Sequence, residues 1–239
     1  MRKILTLLLS ICFLGGFSDL VCGGGLDNSD PRYPQRQYRR FLLPNQMKVI
    51  LISDPTMQRS ASSLTVAVGS MSDPKERFGL AHFLEHMLFL GTEKYPDEGS
   101  YQKFVSTHDG FSNAYTADDR TNYHFEVDPD HFEEGLDRFS QFFLAPLFNQ
   151  ELVERELKAV NSEHSKNIPN DFRRIRQVKR KAYEAGHPAR HFATGTLETL
   201  ENVTRGELLT FYKKHYSSNR MMLAVAGPQD LDTLQAWVV

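Results

Sequence analysis

The sequence predicts an α+β domain built on a largely antiparallel sheet, because segments typical of strands and of helices come in clusters and do not alternate strictly. Residues 63–68 (SLTVAV) alternate polar and apolar side chains, as a half-buried strand does. Two further strand-like segments, residues 111–117 and 121–127, are separated only by a short polar turn. That spacing favours an antiparallel pair.

Turn and capping residues bound the remaining elements. We expect strands over residues 40–43, 47–53, 63–68, 111–117, 121–127 and 220–226. We expect helices over residues 78–90, 99–107, 131–144, 150–166, 170–183, 204–216 and 229–237. Pro44 and Asn45 join the first two strands as a hairpin. Asp130 and Asn149 are predicted to cap the third and fourth helices, and Pro146 to stop the third.

The composition excludes several classes of protein. Of the 239 residues 40% are apolar and 24% are charged, which is too balanced for a disordered chain. Lys and Arg number 28 and Asp and Glu number 30, for a net charge of −2. This balance offers no global reason to expect a nucleic-acid partner. The length suits one domain of about 200 residues with a short leader.

The N-terminus has the pattern of a secretory signal peptide over residues 1–23. A basic start precedes an apolar run over residues 4–17 that is too short to cross a bilayer. The alternatives are a buried N-terminal helix and a lipoprotein modified at Cys22, which the residues before that cysteine disfavour. We therefore expect an exported protein, periplasmic or secreted, without stable membrane insertion after cleavage. Residues 24–37 are predicted to be a flexible lead-in to a domain over residues 38–239.

The two cysteines limit the chemistry of any site. Cys12 and Cys22 both lie in the predicted leader, so cleavage would leave a chain without a thiol. A disulfide framework, a cysteine-based zinc finger and a cysteine nucleophile are thereby excluded from the mature chain. Any metal site must use histidine and carboxylate ligands.

Residues 78–90 (FGLAHFLEHMLFL) contain the most informative pattern. The segment is apolar nearly all round except at His82, Glu85 and His86, as a buried helix would be. The two histidines are four residues apart and lie one helical turn above each other, with Glu85 in the same arc of about 100°. Two imidazoles at one-turn spacing suit a zinc ion, and a nearby carboxylate can take a proton from its bound water. This order of residues, H-x-x-E-H, is a known catalytic motif, the inverted form of H-E-x-x-H. The alternative, a core helix with hydrogen-bonded histidines, leaves the Glu85 charge uncompensated.

A third protein ligand is still needed, because catalytic zinc sites usually have three. The helix after Asn149 contains Glu156 and Glu163, which are seven residues apart and therefore share a face. Val153, Leu157 and Val160 form an apolar seam by which this helix can dock. Taken singly, either glutamate is better explained as a surface charge.

The sequence resembles the insulinase/pitrilysin family of zinc metallopeptidases. The similar segments are HFLEHMLFLGTEKYPDEGSY, FSNAYTADDRTNYHFEV, ERELKAVNSEHSKN, HPARHFATGTLETL and FYKKHYSSNRMMLAVAG. The resemblance implies helices packed on one face of the sheet and one Zn²⁺ bound by His82, His86 and Glu163. It also implies that Glu85 is the general base and that Glu156 supports the site from behind the metal ligands.

The resemblance also implies how substrate binds. FSNAYTA corresponds to an edge strand that holds extended peptides, with Asn113 and Ala114 offering hydrogen bonds beside the scissile bond. Without the family match, an ordinary sheet strand would be the simpler interpretation. The basic segment over residues 172–181 is interpreted as a solvated helix face, in preference to a contact with an acidic peptide or an anionic surface.

These observations predict a zinc metalloendopeptidase domain that hydrolyses peptides or small proteins with zinc-activated water. Family members carry four such domains in one chain, or two in shorter proteins that pair. Val239 directly follows a predicted helix, so we expect a chain truncated relative to the family. The alternative is a zinc-binding but inactive fragment, or a binding subunit, that needs a C-terminal half or a homologous partner chain. The intact Glu85 argues against an inactive paralogue.

Overall fold

The computed structural model describes residues 32–239, which contain six strands and seven α-helices. The strands are β1 (Gln37–Leu42), β2 (Lys48–Ser53), β3 (Ser60–Val66), β4 (Phe111–Thr116), β5 (Thr121–Val127) and β6 (Met221–Gly227). The helices are α1 (Leu80–Met87), α2 (Ser100–Thr107), α3 (Phe132–Leu144), α4 (Gln150–Asn167), α5 (Asp171–Lys181), α6 (Arg205–His215) and α7 (Leu231–Val238).

Several predictions for the N-terminus fall outside the described residues. These are the signal peptide over residues 1–23, the modification of Cys22, and the lead-in before Arg32. Arg36, the last residue before β1, forms an ion pair with Asp54 at 3.0 Å. Among residues 32–239, no helix has both the length and the apolar character needed to span a membrane.

The six strands form one sheet in the order β1-β2-β6-β3-β5-β4. Every neighbouring pair is antiparallel except β2 and β6, which run parallel. The predicted α+β class with a largely antiparallel sheet is therefore confirmed. β6 comes from the far end of the chain and lies between β2 and β3, so the sheet is complete only when the last part of the chain joins it.

One face of the sheet carries the core. The strand register aligns Val49, Leu223, Leu64 and Tyr123 in one row across four strands. Helices α1, α2, α3 and α7 contact the strands, and the apolar side chains of this row are buried or packed against the core. The other face keeps partly exposed residues such as His124. Alternation along each strand thus directs the apolar side chains toward the helices.

Several expected boundaries differ from those of the structure, and three of the local differences have a clear cause. The helix predicted over residues 78–90 is α-helical only from Leu80 to Met87: Gly79, with a φ of 94°, directly precedes it, and the chain continues as a turn from Leu88. Asp130 does not cap α3; instead Asp128 accepts a hydrogen bond from the Asp130 N–H and opens a 3₁₀ turn before the helix begins. β3 begins three residues earlier than expected, since residues 60–62 also pair with β5.

Candidate metal centre

Helix α1 is held at its N-terminus by an acid from the preceding loop. The Asp73 carboxylate accepts hydrogen bonds from the N–H groups of Gly79 and Ala81, at 2.6 and 2.8 Å. Gly79 has a φ of 94°, and a Cβ there would overlap the backbone of Gly195. The loop at residues 194–195 therefore approaches the helix closely enough for the Thr194 carbonyl to reach His82.

Three of the predicted residues meet at one point. The His82 Nε2 atom lies 3.3 Å from the His86 Nε2 atom and 3.4 Å from the Glu163 Oε2 atom. The His86 Nε2 atom lies 3.6 Å from the same glutamate oxygen. Helix α4 brings Glu163 here because its buried seam of Val153, Leu157 and Val160 packs on the core, as predicted.

The residues fit a zinc ion. Tetrahedral zinc with bonds of about 2.0–2.2 Å needs ligand atoms about 3.3–3.6 Å apart, and the three observed separations fall in that range. The His82 Nδ1–H donates to the Thr194 carbonyl at 2.8 Å, and the His86 Nδ1–H donates to Glu156 at 2.7 Å. These outer hydrogen bonds orient both rings so that their Nε2 atoms point to the shared position, as in histidine metal sites.

The charges around the triad favour a cation at that position. Burial lowers the pKa of His82, and the neighbouring His86 lowers it further. Burial acts in the same direction on His86, but hydrogen bonds to Glu156 and Glu163 outweigh it and raise the pKa of His86 to about 9. The hydrogen bond from His86 lowers the pKa of Glu163. The pocket therefore keeps the Glu163 carboxylate ionised, and this negative charge attracts a cation.

Glu85 is a buried acid on the same helix as the two histidines, and it is not one of the three residues whose atoms meet at the candidate metal position. Its side chain is almost enclosed, with 6% of the residue exposed, and burial raises its pKa to about 7. The Thr116 hydroxyl donates to the Glu85 Oε2 atom at 2.5 Å. A carboxyl group that is half-protonated near neutral pH can both take up and release a proton.

These groups line a cavity of about 630 Å³. Helix α1 contributes His82, Glu85 and His86 to its lining, and β4 contributes Asn113 and Ala114. Among the described strands, β4 is at the end of the sheet and pairs only with β5. The strand expected to hold peptides is thus an edge strand beside the candidate metal ligands, and both residues predicted to contact substrate line the cavity.

Sequence reasoning missed three residues that organise the centre. Thr116 lies two residues beyond Ala114 and so shares its strand face, a signal that the alternation of β4 contained. Thr194 contributes only its backbone carbonyl, which carries no sequence signal. Asp73 lies too far before α1 to match a helix cap by spacing, because the chain between them turns back.

The comparison with protein families agrees with this geometry. Residues 48–186, more than half of the chain, match the family model described as Insulinase (Peptidase family M16). The chain belongs to the insulinase family. Residues 202–239 of this insulinase chain match a second model, described as Peptidase M16 inactive domain. That part contains β6, which nevertheless lies in the middle of the same sheet as the strands around the metal centre.

Relatives of this insulinase chain are much longer than it is. "Insulin-degrading enzyme-like 1, peroxisomal" from Arabidopsis thaliana is 49% identical over 219 residues, which cover 89% of this chain and 23% of that protein. Human insulin-degrading enzyme is 49% identical over 212 residues, covering 86% of this chain and 21% of that protein. The crystal structure of pitrilysin superposes with a TM-score of 0.81 at 35% identity, covering 92% of this chain and 23% of that one. The chain therefore spans less than a quarter of the length of these relatives.

Proposed function

We propose that this chain is the zinc-binding catalytic domain of a metalloendopeptidase. The observation that carries the proposal is the triad of His82, His86 and Glu163, whose three atoms are spaced as tetrahedral zinc requires. Membership of a peptidase family supports it independently. When bound, zinc would supply a positive charge beside the scissile carbonyl and a water molecule of lowered pKa.

Glu85 is the proposed general base. Its carboxylate would accept the proton of the attacking water and pass it to the leaving amide nitrogen. The Thr116 hydroxyl holds the Glu85 Oε2 atom at 2.5 Å, which fixes the orientation of the carboxylate and leaves Oε1 for proton transfer. Burial raises the pKa of Glu85 to about 7, which suits a group that must work in both directions near neutral pH.

The proposed substrate is an extended peptide paired with β4. An edge strand has unpaired N–H and C=O groups along one side, and a peptide can add to them as a further strand. Such main-chain pairing accepts many sequences, while Asn113 and Ala114 offer contacts beside the scissile bond. This mode suits peptides or small proteins that can adopt an extended conformation.

The test separates metal binding from chemistry. We expect about one zinc per chain in the parent and in Glu85→Gln, but much less in His82→Ala, which removes one of three protein ligands. Hydrolysis of a fluorogenic peptide by an active preparation should disappear in Glu85→Gln, because an amide cannot accept the proton. Glu154→Gln, on the exposed face of α4, is the matched control and should alter neither quantity. Equal zinc in the parent and His82→Ala would refute the ligand set.

A second candidate is a zinc-binding domain that becomes active only with a partner. The observation in its favour is the short span of the chain relative to its relatives. Positioning of reacting groups is worth on the order of 7–11 kcal/mol, so a site open on one side can lose most of its activity. We expect residues 24–239 alone to cleave weakly and a matching C-terminal half or homologous chain to restore cleavage. Robust turnover by the lone domain that Glu85→Gln abolishes would refute the need for a partner.

We also propose that the protein is exported after cleavage near residue 23. The basis is the basic start and short apolar run of the N-terminus. N-terminal sequencing of the protein purified from its natural source tests this proposal. A mature chain that still begins at Met1 would refute it.

A further inference from the structure

Helix α5 brings positive charge into the cavity of the metal centre. The helix contains six basic residues and one acidic residue, and two of its arginines, Arg173 and Arg176, line the cavity that also contains Glu163. They are three residues apart and therefore lie on the same side of the helix. The basic segment is thus more than a solvated face.

The Arg176 charge is only partly neutralised. Its guanidinium binds the Asp118 Oδ1 atom at 3.0 Å, and Arg180 binds the same oxygen atom at 2.7 Å. Two guanidinium groups therefore share one carboxylate, which leaves one net positive charge in this cluster. The Arg176 side chain retains 42% of its exposure, so it can also contact a bound molecule.

Arg173 forms no close ion pair within residues 32–239, although its charge helps to lower the pKa of Glu163 across the cavity. Glu98 binds Arg155, and Glu156 binds His86. Glu163 lies with the histidines of the triad. The cavity therefore has two guanidinium groups on one side, and none of the acids that line it forms a close ion pair with either of them.

We propose that Arg173 and Arg176 form a subsite for an acidic side chain of the peptide substrate. This inference rests on the proposed function, because it assigns the substrate class of the same cavity. A carboxylate between two arginines at this spacing removes their mutual repulsion and forms charge-assisted hydrogen bonds. Peptides with Glu or Asp close to the scissile bond are the expected ligands.

The experiment measures binding instead of turnover. Zinc-loaded Glu85→Gln protein is titrated with fluorescent peptides whose two ends are blocked, so that the only carboxylate is the side chain under test. One Glu is moved through six consecutive positions, the length of β4, and each peptide has a Gln counterpart. At one or more positions we expect the Glu peptide to bind about tenfold more tightly than its Gln counterpart.

Variants of α5 attribute the preference to its source. Arg173→Gln should reduce the tenfold preference to about threefold or less, and Arg173→Glu should reverse it in favour of Lys peptides. Arg176→Lys retains the positive charge at this position and should therefore preserve part of the preference for Glu peptides. Arg174→Gln, on the same helix but paired with Asp171, is the matched control and should leave the preference unchanged. Binding of the Gln peptides monitors the integrity of the cavity in every variant.

Three results would overturn the proposal. They are equal binding of Glu and Gln peptides at all six positions, a preference that survives in Arg173→Gln/Arg176→Gln, and an absence of binding by every peptide. Failure of the proposed function is distinguishable, because it appears as a lack of hydrolysis by protein that retains Glu85 even when a matching C-terminal half is present. A Glu preference together with that result would support the subsite and contradict the peptidase.

Discussion

Asp73→Ala tests whether one carboxylate from a loop holds the helix that carries the metal ligands. The Asp73 side chain accepts the N–H groups of Gly79 and Ala81, two of the donors that a helix start leaves without a partner. Ala81 is 1% exposed, so water cannot replace the lost acceptor there. The substitution therefore leaves at least one buried N–H unsatisfied.

The magnitude follows from these two hydrogen bonds. A buried donor without a partner costs about 1–3 kcal/mol, and loss of a helix cap costs about 0.5–2 kcal/mol. Because the two effects overlap, and because burial raises the pKa of Asp73 to about 7 and so disfavours the ionised group in the fold, we expect Asp73→Ala to lower the free energy of unfolding by about 1–3 kcal/mol. Asp73→Asn keeps one acceptor oxygen and should lose about half as much.

The assay is urea unfolding of metal-free protein, followed by circular dichroism, so that zinc binding does not mask the change. Asp119→Ala is the matched control, because the Asp119 side chain is 73% exposed and, within the part of the chain that the structure describes, its ion pair is with the neighbouring Arg120. It should change the free energy of unfolding by no more than about 0.5 kcal/mol. If Asp73→Ala and Asp119→Ala were equally stable, the argument that Asp73 anchors α1 would be wrong.

Three further predictions concern the site and the fold that carries it. Glu156→Gln removes the carboxylate behind His86 and should weaken zinc binding about 10–100-fold in a chelator competition, whereas Glu154→Gln should not. Gly79→Ala should destabilise the fold by more than about 2 kcal/mol in urea, since φ is 94° and a Cβ would overlap Gly195; a parent-like stability would contradict the close approach. Burial and nearby cations lower the pKa of His215, so the neutral ring is favoured in the folded state. The free energy of unfolding therefore decreases as pH falls below 6.5, where the same ring in the unfolded chain takes up a proton. His215→Gln should remove that part of the stability difference between pH 7.5 and 5.5, and an unchanged pH dependence would refute it.

Local patterns were sufficient for much of the fold. The spacing of His82 and His86 requires only one helical turn, and the seam of α4 follows from its own periodicity. The Asn149 cap was predicted correctly because an Asn side chain reaches the N–H of Glu151 within two residues. Such features depend on neighbours in the chain, so the sequence alone contains them.

The sequence by itself determined the donor types of the site, but only the tertiary structure decided which of them meet. Glu163 joins two histidines more than seventy residues away because α4 docks against α1, and no local period encodes that distance. The same is true of the Thr116 hydroxyl on Glu85, of the loop carbonyl on His82 and of the two arginines that α5 directs into the cavity. The physical reason is that helix and strand periods set which face of an element is apolar, whereas packing of the whole sheet and its helices sets which faces oppose each other.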